Sequence, residues 1–253
     1  MTQKQSDALA EFFHAPSYIA FVIPAETKRN VDTLKEWASN RTEDNKNEMK
    51  EIQSLFADVV MVLVSKTMEI FFLDPLEPIG LGNVGQKMVR TCVSTVTKAI
   101  SFLLHSVGRR LSAQELESLI LYLYGTLLWR KSNDGVSIPY LGCPLNQEFT
   151  TSLENIKTKS EQGQGQEVCD GFSDILLDVS DHSMEIFFIE PLKLLKLNMV
   201  FRKTADVAVD TTRAAIHKII RHIFKDMNND QMRQVSAYIR PLHIDGNEFE
   251  RRS

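Results

Sequence analysis

The chain has 253 residues and a formal net charge of −4, with 43% apolar and 25% charged residues. That balance fits a folded chain of one large or two ordinary domains, and it gives no support to a nucleic-acid or membrane partner held by bulk charge. Three cysteines, Cys92, Cys143 and Cys169, lack metal-ligand spacing and read as reduced, buried thiols.

The first residues, MTQKQSDALAEFF, lack a basic segment followed by an apolar one, so no signal peptide is expected. The longest strongly apolar run, Val59 to Val64, is far short of the roughly 20 residues that cross a bilayer. A cytoplasmic protein without transmembrane segments is the expectation.

YIAFVIPAETKRNVDTLKEW near the start and PYLGCPLNQEFTTSLENI in mid-chain share one order: an apolar stretch, a proline, a helical pattern. Polar segments follow each, SNRTEDNKNE and KTKSEQGQGQE, and Gly163 and Gly165 mark the second as a loop. Next comes the most distinctive feature. MEIFF occurs at Met68–Phe72 and again at Met184–Phe188. MEIFFLDPL and MEIFFIEPL extend the match, and Phe56-Ala-Asp58-Val falls on Phe172-Ser-Asp174-Ile in the same register. Val84, Lys87, Val93, Thr95, Ala99, Ile100 and Tyr122 likewise fall on Val200, Lys203, Val209, Thr211, Ala215, Ile216 and Tyr238. About a quarter of the aligned positions are identical without a gap, the mark of an internal repeat.

Phe172, Ile175, Leu176, Val179, Ile186 and Phe187 have helical spacing, so a helix is expected through each MEIFF segment. A short hairpin there is the alternative, because valine and phenylalanine favour strands. Asp74-Pro75 and Glu190-Pro191 then mark a joint, with proline suited to the first turn of a new helix. Long helices follow. Val93, Val96, Ile100, Leu103, Leu104 and Val107 form one stripe, and Val209, Thr212, Ile216, Ile219, Ile220 and Ile223 form its equivalent. Ser112-Ala-Gln-Glu115 and Asn228-Asn-Asp-Gln231 read as capping boxes opening the next helix in each half. Asn133-Asp-Gly135 reads as the stop after the first of these helices.

The fold expected is therefore all-α, two tandem related helical units packed into one body, 1–125 and 126–253. The alternative is α+β with a hairpin at each MEIFF segment.

No sequence motif fixes a reaction. Gly80-Leu-Gly82-Asn-Val-Gly85 matches the dinucleotide fingerprint, but the aligned Lys196, Asn198 and Phe201 are not glycines, so it reads as a tightly packed or loosened helix start. His217 and His222 lie about 140° apart on a helix and do not converge on one ion. No catalytic residue, metal site or cofactor is expected. Glu69 and Glu185 occupy equivalent places and read as solvated or salt-bridged glutamates rather than a catalytic pair.

Charge differs between the halves. Arg213, His217, Arg221 and Lys225 recur every four residues and make one basic stripe, where the first half carries Thr97, Ser101, His105 and Arg109. The leading functional expectation is a non-catalytic adaptor or regulator that binds a macromolecule through this face. An acidic protein is favoured over nucleic acid as the partner, with homodimerisation left open. An ordinary solvated face, or one paired with Asp245, Glu248 and Glu250, is the plain alternative. A nucleic-acid-binding regulator on the same face is one rival function. The other is a small-ligand-binding protein or enzyme with a pocket between the units lined by Phe71, Phe72, Phe187 and Phe188.

Overall fold

The computed structural model describes residues 12, 14–40, 46–108, 110–132, 134–225 and 227–250. They are mostly helical and also form a four-stranded antiparallel sheet. Strand β1, Ser17–Val22, is buried along nearly its whole length because both of its faces are apolar. One face sends Ile19 and Phe21 into the helical cores, and the other sends Tyr18 and Ala20 into a separate cluster with Phe12, Leu128 and Ile244. Pro24 follows, and its carbonyl accepts the first-turn bond from the Lys28 amide at 2.9 Å. Helix α1 is Ala25–Asn40, and α2 is Lys46–Met68.

Helix α2 does not stop at Met68. It continues through Glu69–Leu73 as one π-helical turn, closed by the Asp74 amide on the Glu69 carbonyl at 2.8 Å. A short helix, α3 (Leu76–Ile79), ends at Gly80, whose φ of 67° is the left-handed conformation that favours glycine at a helix end. Helix α4 is Asn83–Gly108 and α5 is Ala113–Gly125. Strands β2 (Leu128–Lys131) and β3 (Ser137–Leu145) form a hairpin. The second half then runs α6 (Gln147–Glu161), a 3-10 turn at Gly165–Val168, and α7 (Cys169–Met184). A second π turn follows at Glu185–Ile189, then α8 (Glu190–Lys193), α9 (Met199–Phe224), α10 (Asn229–Ile239) and β4 (His243–Asp245).

The strands lie in the order β2-β3-β1-β4. The hairpin alternative for the MEIFF segments is thus corrected: both segments are helical with a π turn, and the strands lie elsewhere. Asp134 and Gly135 do not stop a helix. Helix α5 ends at Gly125, and the two residues form the β2–β3 turn, with Gly135 at φ 82° and the Ser132 amide donating to Val136 at 2.8 Å. Asn133 lies outside the described residues.

The core is organised by α4 and α9, which share the most extensive helix–helix contact of the chain. Val93, Val96 and Ile100 meet Val209, Ile216 and Ile219 there, so the two sequence stripes face each other. Both capping boxes form, at Ser112/Glu115 and Asn228/Gln231. Each N3 side chain also reaches across the chain. Glu115 accepts from the Lys196 amide at 2.8 Å, and Gln231 donates to the Ile79 carbonyl at 2.9 Å. A carboxylate accepts where an amide is presented, and a carboxamide donates where a carbonyl is presented.

The Gly80/Gly82/Gly85 segment is a tight helix start. A Cβ on Gly85 would stand 2.3 Å from Leu81 Cδ2 and 3.2 Å from His222 Nε2.

Candidate functional site

The two π turns explain the repeated MEIFF-x-[DE]-P-L segment. In a π register the carbonyl of residue i pairs with the amide five residues on. For Ile70 that residue is Pro75, and for Ile186 it is Pro191, and proline has no N–H. Each carbonyl would be left without an intrahelical donor. A tyrosine from the opposite half supplies one: Tyr238 Oη donates to the Ile70 carbonyl at 2.7 Å, and Tyr122 Oη to the Ile186 carbonyl at 2.8 Å. Burial, reinforced by nearby Glu190 and Glu185, pushes the Tyr122 hydroxyl far above its ordinary range. Burial, with Asp74 and Glu69 nearby, pushes Tyr238 up to about 12. Both stay protonated donors at neutral pH.

The π turns and their tyrosines form part of the wall of a cavity of about 330 Å³. Its wall draws from α2, α4, α5, α7, α9, α10 and the inner face of the sheet, and it is almost wholly apolar. Phe71, Phe72, Phe187 and Phe188 all line it, as do Met68 and Met184. So do paired positions of the two halves further along: Val96 with Thr212, and Ile100 with Ile216. No Asp, Glu, Lys, Arg or His is among the lining residues.

The hydroxyls on the wall are engaged within the protein, with one exception. Thr67 donates to the Leu63 carbonyl at 2.8 Å, Ser180 to Leu177 at 2.8 Å, Ser183 to Val179 at 2.7 Å and Thr126 to Leu123 at 2.8 Å. The Cys143 thiol contacts Ser183, and burial pushes it up to about 11, so it stays a thiol rather than a reactive thiolate at neutral pH. Thr212 Oγ1 is the exception: it is buried and makes no hydrogen bond.

The basic stripe on α9 is divided by the fold. Arg213 and His217 are half-buried, and both reach Asp181 of α7 at 3.0 Å. Arg221 and Lys225 lie further along the helix and are exposed. The C-terminal acids do not meet the stripe: Glu248 pairs with Arg130, and Glu250 pairs with Lys131 at 2.5 Å. Glu69 and Glu185 are each held by a lysine, Lys66 at 2.5 Å and Lys193 at 2.8 Å. Among the described residues no group of three or more His, Cys, Asp or Glu is placed to hold a metal ion, and no helix is long and apolar enough to cross a membrane.

No protein-family model matches the chain, and no curated protein or solved structure matches it significantly.

The sequence singles out the four phenylalanines as candidate pocket residues, whereas Thr212 stands there only as one position of the apolar stripe. The available signal was the alignment of the halves, in which an apolar stripe position, Val96, falls on a threonine.

Proposed function

We propose that this chain is a non-catalytic binding protein that holds an apolar small molecule in the cavity between two tandem related units. The observation that carries this reading is the character of the cavity wall: about 330 Å³, apolar almost throughout, with no charged side chain. Ligand pockets are typically concave, apolar and a few hundred Å³ in volume. Each buried methylene contributes about 0.8 kcal/mol, so a ten-carbon chain brings about 8 kcal/mol before the entropy of association is subtracted.

The two-unit reading is supported by correspondences beyond the sequence. Each half has the order strand, two helices, π turn, short helix, long helix, helix, strand. In the register of β1 and β3, Ala20 pairs with Gly142, and the pattern repeats on either side of that pair: Ser17 pairs with Leu145, and the Ile23 amide donates to Pro139. Leu128 pairs with Tyr140 where the aligned Ile244 pairs with Tyr18. The tyrosine–carbonyl bonds are reciprocal in the same way. On this reading the unit boundary lies at the β2–β3 turn rather than at 125/126, and each unit lends its last strand to the other's first. The three unpaired cysteines fit a reducing, cytoplasmic setting.

The test is displacement of a neutral solvatochromic dye by decan-1-ol, for the wild type and for Ile216→Trp. The indole would occupy the cavity from α9, and binding should weaken more than tenfold while the melting temperature holds within a few degrees. Ile100→Trp, from α4, is the companion variant should the first fail to fold. Unchanged binding in a folded variant would remove the cavity from consideration.

The adaptor reading keeps one observation in its favour: Arg221 and Lys225 are exposed and have no ion-pair partner among the described residues. Under it, Arg221→Glu with Lys225→Glu abolishes capture of an acidic polypeptide such as poly-glutamate at low salt and leaves decan-1-ol binding intact. Equal capture by wild type and variant excludes it.

A further inference from the structure

The wall of the cavity is chemically uneven at one point. Val96 on α4 and Thr212 on α9 occupy aligned positions, line the same space and are each 1% exposed. Valine and threonine have nearly the same shape and differ in one hydroxyl. Val96 closes the aligned place on the same wall with two methyls and no oxygen. The hydroxyl is therefore not needed to fill space. Nor does it serve the backbone: Thr67, Ser180 and Ser183 on the same wall donate to carbonyls three or four residues earlier in their helices, and Thr212 Oγ1 has no partner. A buried hydroxyl without a hydrogen bond is unfavourable, and native proteins rarely keep one without use.

We propose that Thr212 Oγ1 is the polar anchor of the cavity, and that the ligand is a neutral, single-headed apolar molecule, an alcohol or ketone on a long hydrocarbon chain or ring. This deepens the binding reading above and rests on it. A hydroxyl both donates and accepts, so it pairs with either head group. The absence of any Lys, Arg or His from the wall is what selects the charge state. An ionised carboxylate or phosphate inside this space would be buried with no cation to compensate it, whereas one neutral hydrogen bond satisfies an alcohol. The asymmetry between Val96 and Thr212 also sets a direction: the head group lies toward α9 and the hydrocarbon toward α4.

The experiment compares decan-1-ol, decane and decanoate as competitors of the neutral dye, at pH 8, on wild type and Thr212→Val. Thr212→Val should weaken decan-1-ol about fivefold to tenfold, the worth of one net hydrogen bond. Decane should be unchanged and the melting temperature no lower. Val96→Thr added to Thr212→Val should restore alcohol binding from the opposite wall. Equal losses for alcohol and alkane, or no loss for either, would overturn the anchor while leaving the binding reading intact. Decanoate binding the wild type more tightly than decan-1-ol would overturn the neutral head group. Failure of all three competitors to bind wild type would overturn the cavity reading and the anchor with it.

Discussion

Replacing Tyr122 and Tyr238 together by phenylalanine is expected to lower the unfolding free energy by about 2–5 kcal/mol, with the more deeply buried Tyr122 giving the larger share. The ring stays in place, so the loss comes from the carbonyl. Ile70 and Ile186 each present an oxygen whose π-register partner is a proline, and the tyrosine hydroxyl is the donor in the structure. A buried acceptor that loses its donor suffers the desolvation it was spared, about 1–3 kcal/mol, which applies in full to the buried Ile186 bond and less to the part-buried Ile70 bond. Urea unfolding measures this as a lower midpoint at constant slope. A double variant within 0.5 kcal/mol of wild type would show that water replaces the hydroxyls and that the tyrosines matter only for packing. The same bonds predict an alkaline limit. Both hydroxyls titrate higher in the folded chain than the ordinary value of 10, Tyr238 at about 12. The sign follows: the unfolded chain releases these protons first, so their stabilisation is complete below about pH 10 and falls as pH rises through 12. The double phenylalanine variant should show a shallower decline over that window.

The helices were legible in the sequence because their signals are local and periodic. The stripes Val93–Val107 and Val209–Ile223 and both capping boxes could be read directly, and each appears in the structure at its place. The strands were not legible, for a physical reason. YIAFVI carries no apolar–polar alternation, since Ile19 and Phe21 enter the helical cores while Tyr18 and Ala20 enter the cluster with Phe12 and Ile244. Its pairing partners lie far along the chain, at Tyr140–Leu145 and His243–Asp245. The π turns were hidden too. A proline after an acidic residue announces a joint, but the carbonyl that the preceding turn frees is met by a tyrosine of the other half, Tyr238 lying 168 residues after Ile70 and Tyr122 lying 64 residues before Ile186.

Positions where the halves differ are as informative as those where they agree. Glu115 and Gln231 differ because one faces an amide and the other a carbonyl, so their divergence serves the fold. Arg213 and His217 replace Thr97 and Ser101 and both reach Asp181, whose aligned partner is Ser65, so part of the basic stripe also serves the fold. Val96 and Thr212 differ with no internal partner to account for the hydroxyl. That contrast separates substitutions that the fold's own contacts account for from one that they do not.

The second large effect concerns the centre of the sheet. Gly142→Ala is expected to destabilise the chain by about 1–3 kcal/mol and Gly142→Val by more, because the space beside Gly142 is already filled. A Cβ there would stand 2.8 Å from the Ala20 Cβ, 2.8 Å from Leu128 Cδ1 and 3.3 Å from the Ile19 carbonyl. Leu128 can rotate, but the Ala20 Cβ is fixed by its strand. Relief must therefore come from moving β1 against β3, the pair on which the register of the sheet is centred. The cycle with Ala20→Gly isolates that contact. Gly142→Ala in the Ala20→Gly background should cost markedly less than in wild type, a coupling above about 0.5 kcal/mol. Additive losses would mean that the strain falls on Leu128 and not across the strand pair. Because Gly142 also lines the cavity, decan-1-ol binding reports on the same movement. A shift of β3 that relieves the clash displaces Leu141 and Cys143 on the cavity wall, so affinity should fall in Gly142→Ala and recover with Ala20→Gly. Recovery of stability without recovery of binding would mean that the sheet holds the units together but does not shape the space between them.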